Sequence, residues 1–131
     1  MMKRKRVLVV EEGKSTRDML SFLLANRGYE VSETSSGREA LELAISQGPD
    51  LVVLAADLSD VSGYDVYRIL KGRRASACVP VLLLVAFTDS ISAPTRSLPD
   101  PEFLLSKPFT AHDFLQRAGK LLSETPEPAR S

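Results

Sequence analysis

Charged side chains stand at the ends of short apolar runs in this sequence. Glu11 and Glu12 follow Val7-Leu8-Val9-Val10, Asp57 follows Leu51 to Ala56, and Lys107 follows Phe103 to Ser106. An adjacent acid pair can hold Mg²⁺, although magnesium usually takes only one or two carboxylates and relies on substrate oxygens for the rest. A lysine brought near the pair can neutralise it instead, so Glu11, Glu12 and Lys107 can form a compact ion-paired cluster with no metal. Asp57 is either a loop carboxylate or a further acid for such a site. Other chemistries find less support. His112 is the one histidine, and it has no acidic or cysteine partner at ligand spacing. Cys78 is the one cysteine; with no basic neighbour in sequence to activate it, it is expected to be an ordinary buried or half-buried thiol. Gly13-Lys14-Ser15 ends like a phosphate-binding loop, but the earlier glycine of that motif is missing and Glu11-Glu12 would repel phosphate.

The elements that must position these groups are bounded by composition. The chain has 131 residues, 44% of them hydrophobic and 26% charged, which fits one domain with an ordinary core. Seventeen Lys+Arg balance seventeen Asp+Glu, so no global field draws it to nucleic acid or an anionic membrane. A lone cysteine closes no internal disulfide and builds no zinc cluster, which suits a cytoplasmic location. The longest apolar stretch, Val79 to Phe87, contains Pro80 and is about half the ~18 residues that a membrane span requires. The basic run Lys3-Arg4-Lys5-Arg6 precedes only four apolar residues, too few for a signal peptide and more consistent with a solvated lead-in to a strand.

Apolar runs alternate with helix-period segments along the chain, the pattern of an α/β protein with a parallel sheet. Strands are expected at Val7–Val10, Tyr29–Thr34, Leu51–Ala56, Val81–Val85 and Phe103–Ser106. Ser15 with Asp18 is expected to cap a first helix that buries Met19, Leu20, Leu23 and Leu24 and stops at Gly28. Ser36 with Glu39 marks a second helix carrying Ala40, Leu41, Ala44 and Ile45. Val66, Ile69 and Leu70 share a face of a third, with Gly72 as its stop. Pro94, Pro99 and Pro101 make the fourth helix short or irregular. Thr110 with Asp113 opens a fifth, whose buried face is Phe114, Leu115, Ala118, Leu121 and Leu122. Residues 1–123 are expected to form the domain, and 124–131 a tail or the start of a linker. Arg68, Lys71, Arg73 and Arg74 cluster around the end of the third helix, where cations suit the dipole.

In an open parallel sheet, ligands bind beyond the carboxyl ends of the strands. That rule selects Glu11-Glu12, Ala55-Ala56-Asp57, Val85-Ala86 and Ser106-Lys107-Pro108. Around them, motifs fall in register: Val7-Leu8-Val9-Val10-Glu11-Glu12, Gly28-Tyr29-Glu30-Val31, Gly37-Arg38-Glu39-Ala40-Leu41, Pro49-Asp50-Leu51-Val52-Val53-Leu54, Val61-Ser62-Gly63-Tyr64-Asp65-Val66, Val79-Pro80-Val81 and Lys107-Pro108-Phe109. With these the chain resembles a CheY-like response-regulator receiver domain from Val7 to Leu122. The resemblance implies a flavodoxin-like, doubly wound five-stranded parallel sheet of order 2-1-3-4-5 with about five helices.

It also implies a phosphorylation switch. An aspartate at the end of strand three attacks a phosphoryl group, two acids after strand one hold magnesium, a lysine contacts the phosphoryl, and a Ser/Thr after strand four bonds it. Carried over residue by residue, the acceptor position is Ala55, whose methyl cannot attack phosphorus. The hydroxyl position is Val85, which has no hydroxyl. The aromatic three residues before the lysine becomes Leu104, with Phe103 supplying a ring only if the strand register slips. Lys107 is kept, and Glu11 and Glu12 keep the charge on longer side chains. The expectation is a degenerate pseudo-receiver, a non-enzymatic signalling module without cofactor. It binds protein partners or regulates attached domains through the face formed by the fourth helix, fifth strand and fifth helix, with a homodimer left open. Glu11 and Glu12 are only weak metal candidates. The alternative is an atypical phosphoacceptor in a phosphorelay, using Asp57 with Glu11, Glu12, Mg²⁺ and Lys107. Ligand sensing in the vacated crevice lacks a glycine-rich loop or an aromatic platform.

Overall fold

The structure, a computed structural model, describes residues 4–86 and 103–124. Its strands are β1 (Arg6–Val10), β2 (Glu30–Thr34), β3 (Leu51–Ala55), β4 (Val81–Ala86) and β5 (Leu104–Lys107). They form one sheet of order β2-β1-β3-β4-β5 in which every neighbouring pair is parallel. The helices are α1 (Lys14–Asn26), α2 (Gly37–Ser46), α3 (Gly63–Gly72) and α4 (Ala111–Glu124). α4 is the fifth helix expected from the sequence. The expected irregular fourth helix and the tail from residue 125 lie outside the described residues.

Continuous apolar strands arise because helices cover both faces of the sheet. Leu8, Val10, Val52, Leu54, Leu83 and Val85 face Ala40 and Ala44 of α2 and Val66 and Leu70 of α3. Val7, Val9, Leu51, Val53, Leu82 and Leu84 face Leu20 and Leu24 of α1 and Phe114, Ala118, Leu121 and Leu122 of α4. Successive residues of the central strands thus feed opposite cores, except that Ala55 joins Leu54 on the α2/α3 side, and a slip of one residue would exchange them. The described residues include no helix long and apolar enough to cross a membrane.

Two helix starts follow the capping expectation. Ser36 Oγ accepts the Glu39 amide at 3.1 Å, although the Glu39 carboxylate takes the Thr34 hydroxyl instead of closing the box. Thr110 Oγ1 accepts the Asp113 amide at 3.0 Å. α1 departs from it: Gly13, extended, occupies the cap position and no side chain caps the helix, so Ser15 lies inside the first turn. Its other end closes as expected. Gly28, at φ 93°, donates to the Ala25 carbonyl and Tyr29 to the Leu24 carbonyl, which satisfies two terminal acceptors.

Met19, Ile45 and Ile69, expected on buried faces, are exposed. Each lies at the border of its helix's apolar stripe, where helical spacing alone does not separate a core position from its flank. Leu115 and Leu23 are only partly buried. Cys78 is exposed, not buried, because it sits in the turn that precedes β4. Lys71 has a more specific role than a helix-end cation. Its Nζ donates to the carbonyls of Val79 at 2.7 Å and Ala77 at 3.3 Å, fastening that turn, and burial draws its ammonium below the ordinary lysine range, opposed by Cys78.

Candidate functional site

The register brings the selected groups to one edge of the sheet. Val10 pairs with Leu54 and Ala55 with Leu84, so Glu11 leaves β1 beside Ala55. Val85 pairs with Ser106 and Ala86 with Lys107. Lys107 is therefore the last residue of β5, not the first after it. Phe109, just beyond, stacks on Phe114 at 6.0 Å between ring centroids, which ties the chain after Lys107 to α4.

Glu11 is 5% exposed. One of its oxygens accepts the Gly13 amide at 3.0 Å, and the other lies 3.3 Å from Lys107 Nζ. The same ammonium is 3.8 Å from Asp57 Oδ1, whose side chain is 62% exposed. Glu12 stands apart from this cluster. Its carboxylate accepts the Ser59 amide at 2.7 Å and the Ser59 hydroxyl at 2.8 Å. The expected trio of Glu11, Glu12 and Lys107 is thus Glu11, Lys107 and, more loosely, Asp57. Two donors from the β3–α3 loop hold Glu12 better than one shared lysine would.

Ala55 and Val85 are buried at the ends of β3 and β4. Leu104 packs on the α2/α3 side and Phe103 on the α1/α4 side. Adjacent strand residues face opposite ways, so Phe103 does not fill the place of Leu104. His112 is exposed in the first turn of α4.

Arg17 and Asp60 are parts of the site that sequence reasoning missed. Arg17 Nη1 donates to the carbonyls of Glu11 at 2.9 Å and Glu12 at 3.2 Å, while its Nε lies 3.7 Å from Glu33. It fixes the backbone on which both acids ride. Asp60 accepts the amides of Gly37 at 3.0 Å and Arg38 at 3.1 Å and the Ser36 hydroxyl at 2.8 Å, closing the N-terminus of α2 from a loop 22 to 24 positions away in sequence. Its only sequence signal is a carboxylate in a loop that a parallel α/β fold carries to a helix start.

These amides hold the Asp60 carboxyl well below its ordinary value of 3.8. A depressed carboxyl contributes stability that is present above the unfolded value and is lost as pH falls toward the folded one. Asp60→Asn is therefore expected to lower the urea midpoint at neutral pH, with the gap to the parent shrinking as pH falls below 3.8. A gap that stays constant with pH would show that the charge is not what holds α2.

The resemblance to receiver domains implies a divalent cation beside the acid pair, and the donors already on that pair oppose one. All four carboxylate oxygens of Glu11 and Glu12 are engaged by amide, hydroxyl or ammonium donors. Lys107 supplies the positive charge next to Glu11, and no cluster of three or more metal-ligating acids, histidines or cysteines occurs among the described residues.

A model of the response regulator receiver domain family matches residues 7–118. The chain belongs to that family. Over 127 residues this receiver domain is 32% identical to the DNA-binding response regulator MtrA of Mycolicibacterium paratuberculosis, covering 96% of the chain and 55% of MtrA. It is 36% identical over 121 residues to the response regulator MprA of Mycolicibacterium vanbaalenii, covering 92% of the chain and 51% of MprA. The chain thus spans about half the length of these curated relatives. The receiver domain of the sensor histidine kinase PA1611 of Pseudomonas aeruginosa PAO1, solved with magnesium in its active site cleft, superposes with a TM-score of 0.82. It covers 93% of this chain and 100% of that one at 19% identity, a likeness of fold.

A second feature of this receiver domain lies on its β5 edge. Leu105 with Asp113, Gln116, Arg117 and Lys120 of α4 lines an open groove of about 450 Å³. Arg117 Nη1 donates to the Leu104 carbonyl at 2.6 Å, which holds α4 against the strand.

Proposed function

We propose that this receiver domain is a phosphorylation-independent signalling module that binds a protein partner or regulates attached domains. The observation that carries the reading is Ala55, a buried methyl at the end of β3, where the family pattern puts the nucleophile. Val85 supports it, since a branched apolar side chain at the end of β4 offers no hydroxyl to a phosphoryl oxygen. The Lys107 ammonium, bound to Glu11, then serves the fold and not an incoming anion. No enzymatic step and no cofactor belong to this reading.

The output surface in this reading is the β5/α4 edge, where polar and charged side chains of α4 border the groove floored by Leu105. A protein partner suits that mixed surface. The formal net charge of +0 gives the module no general pull toward nucleic acid. DNA binding, which the name of MtrA states of that protein, is in this reading a property of other domains.

One observation favours a second reading. Asp57 is exposed and lies 3.8 Å from Lys107, so a carboxylate and an ammonium do meet at the crevice mouth, and Asp57 can be proposed as a displaced acceptor. Intact mass separates the two. After incubation with Mg²⁺ and a small-molecule phosphodonor, the parent and Asp57→Asn are both expected to keep their mass. A single phosphoryl adduct on the parent that Asp57→Asn lacks would overturn the first reading in favour of the second.

A further inference from the structure

We infer that Ser59 occupies the cation's place at Glu12, so that an internal clasp fastens the crevice and excludes a divalent metal. The inference deepens the proposed function, resting on its view of the crevice as structural. Glu12 Oε1 takes the Ser59 amide at 2.7 Å and Oε2 its hydroxyl at 2.8 Å, a two-point grip across 47 positions of sequence. It joins the turn after β1 to the loop after β3.

Three neighbouring contacts support the clasp between these two exposed side chains. Arg17 pins the carbonyls of Glu11 and Glu12, so the acid pair is held from its backbone side. Asp60, next to Ser59, ties the same loop to the start of α2. Gly63 closes the loop through its amide on the Ala56 carbonyl at 2.9 Å. Magnesium demands nearly octahedral oxygen ligands at about 2.0–2.1 Å and sheds water reluctantly. To bind Glu12 it must displace at least one of these donors and face the Lys107 ammonium beside Glu11. The clasp uses donors of the chain itself and needs no ligand.

Two measurements on the intact chain test this. In thermal melts, the parent is expected to be unmoved by millimolar Mg²⁺, whereas Ser59→Ala, which releases Oε2 of Glu12, is expected to gain a Mg²⁺-dependent rise in Tm. In a double-mutant cycle, Glu12→Ala and Ser59→Ala are each expected to raise the unfolding equilibrium constant roughly two- to tenfold, as for loss of a modest hydrogen bond. The double variant should then resemble Glu12→Ala, since that substitution already removes the contact with the Ser59 hydroxyl. A Tm of the parent that climbs with Mg²⁺, a Ser59→Ala variant indifferent to it, or fully additive substitutions would each overturn the clasp. A phosphoryl adduct on Asp57, read by mass, would instead overturn the function proposed above.

Discussion

Gly63→Ala is expected to destabilise the domain by about 3 kcal/mol, the upper end of the ordinary cost of forcing extra atoms into a packed site. A Cβ on Gly63 would lie 2.1 Å from the Ala55 carbonyl oxygen and 2.6 Å from the Ala56 Cα. Both are backbone atoms at the end of the central strand and cannot swing aside as a flexible side chain can. Relief requires α3 to lift from β3, which stretches the Gly63 amide from the Ala56 carbonyl and loosens Val66 and Leu70 from the core. Domains of this kind are stable by only about 5–15 kcal/mol, so the loss is a large share. Gly72→Ala is the matched control: nothing lies within 4 Å of its added Cβ, and alanine in a helix is favoured over glycine by up to about 1 kcal/mol. Urea midpoints of the two variants should move in opposite directions. A Gly63→Ala midpoint close to the parent's would mean that the start of α3 yields easily, and with it the placement of Asp57, Ser59 and Asp60.

The legible part of this fold is the part that repeats. Val7 to Val10 and Leu51 to Ala55 are apolar without interruption because each residue meets one of two cores, and that pattern survives in a bare sequence. The Thr110–Asp113 cap was legible for a similar reason, since both partners lie within one turn. What stayed hidden depends on contacts between distant segments. Ser59 and Asp60 read as ordinary loop residues until the fold carries them to Glu12 and to α2. Arg17 looks like one more charge on a helix, yet the fold brings its guanidinium to two carbonyls of the turn before α1. Glu12 was grouped with Lys107 because acids adjacent in sequence invite one partner. Successive residues at a strand end point in different directions, and the structure divides them, Glu11 toward Lys107 and Glu12 toward Ser59.

Lys107→Met should lower stability by about 2 kcal/mol at neutral pH, less than the 3–5 kcal/mol typical of breaking a fully buried pair. The discount follows from exposure. The Lys107 side chain is 29% exposed and its second partner, Asp57, is mostly in solvent, so water screens part of the attraction. What remains is the cost of leaving one oxygen of Glu11, 7% exposed at its side chain, without the ammonium while the Gly13 amide still bonds the other. Glu11→Leu combined with Lys107→Met should recover most of that loss, because removing both charges abolishes the desolvation they impose on one another. Chemical denaturation of the parent, both single variants and the pair supplies the coupling. Strong coupling would assign the ammonium to the fold, leaving little of it for an incoming phosphoryl group. A Lys107→Met variant as stable as the parent would show the lysine to be uncommitted to Glu11, which is the behaviour that an acceptor at Asp57 requires.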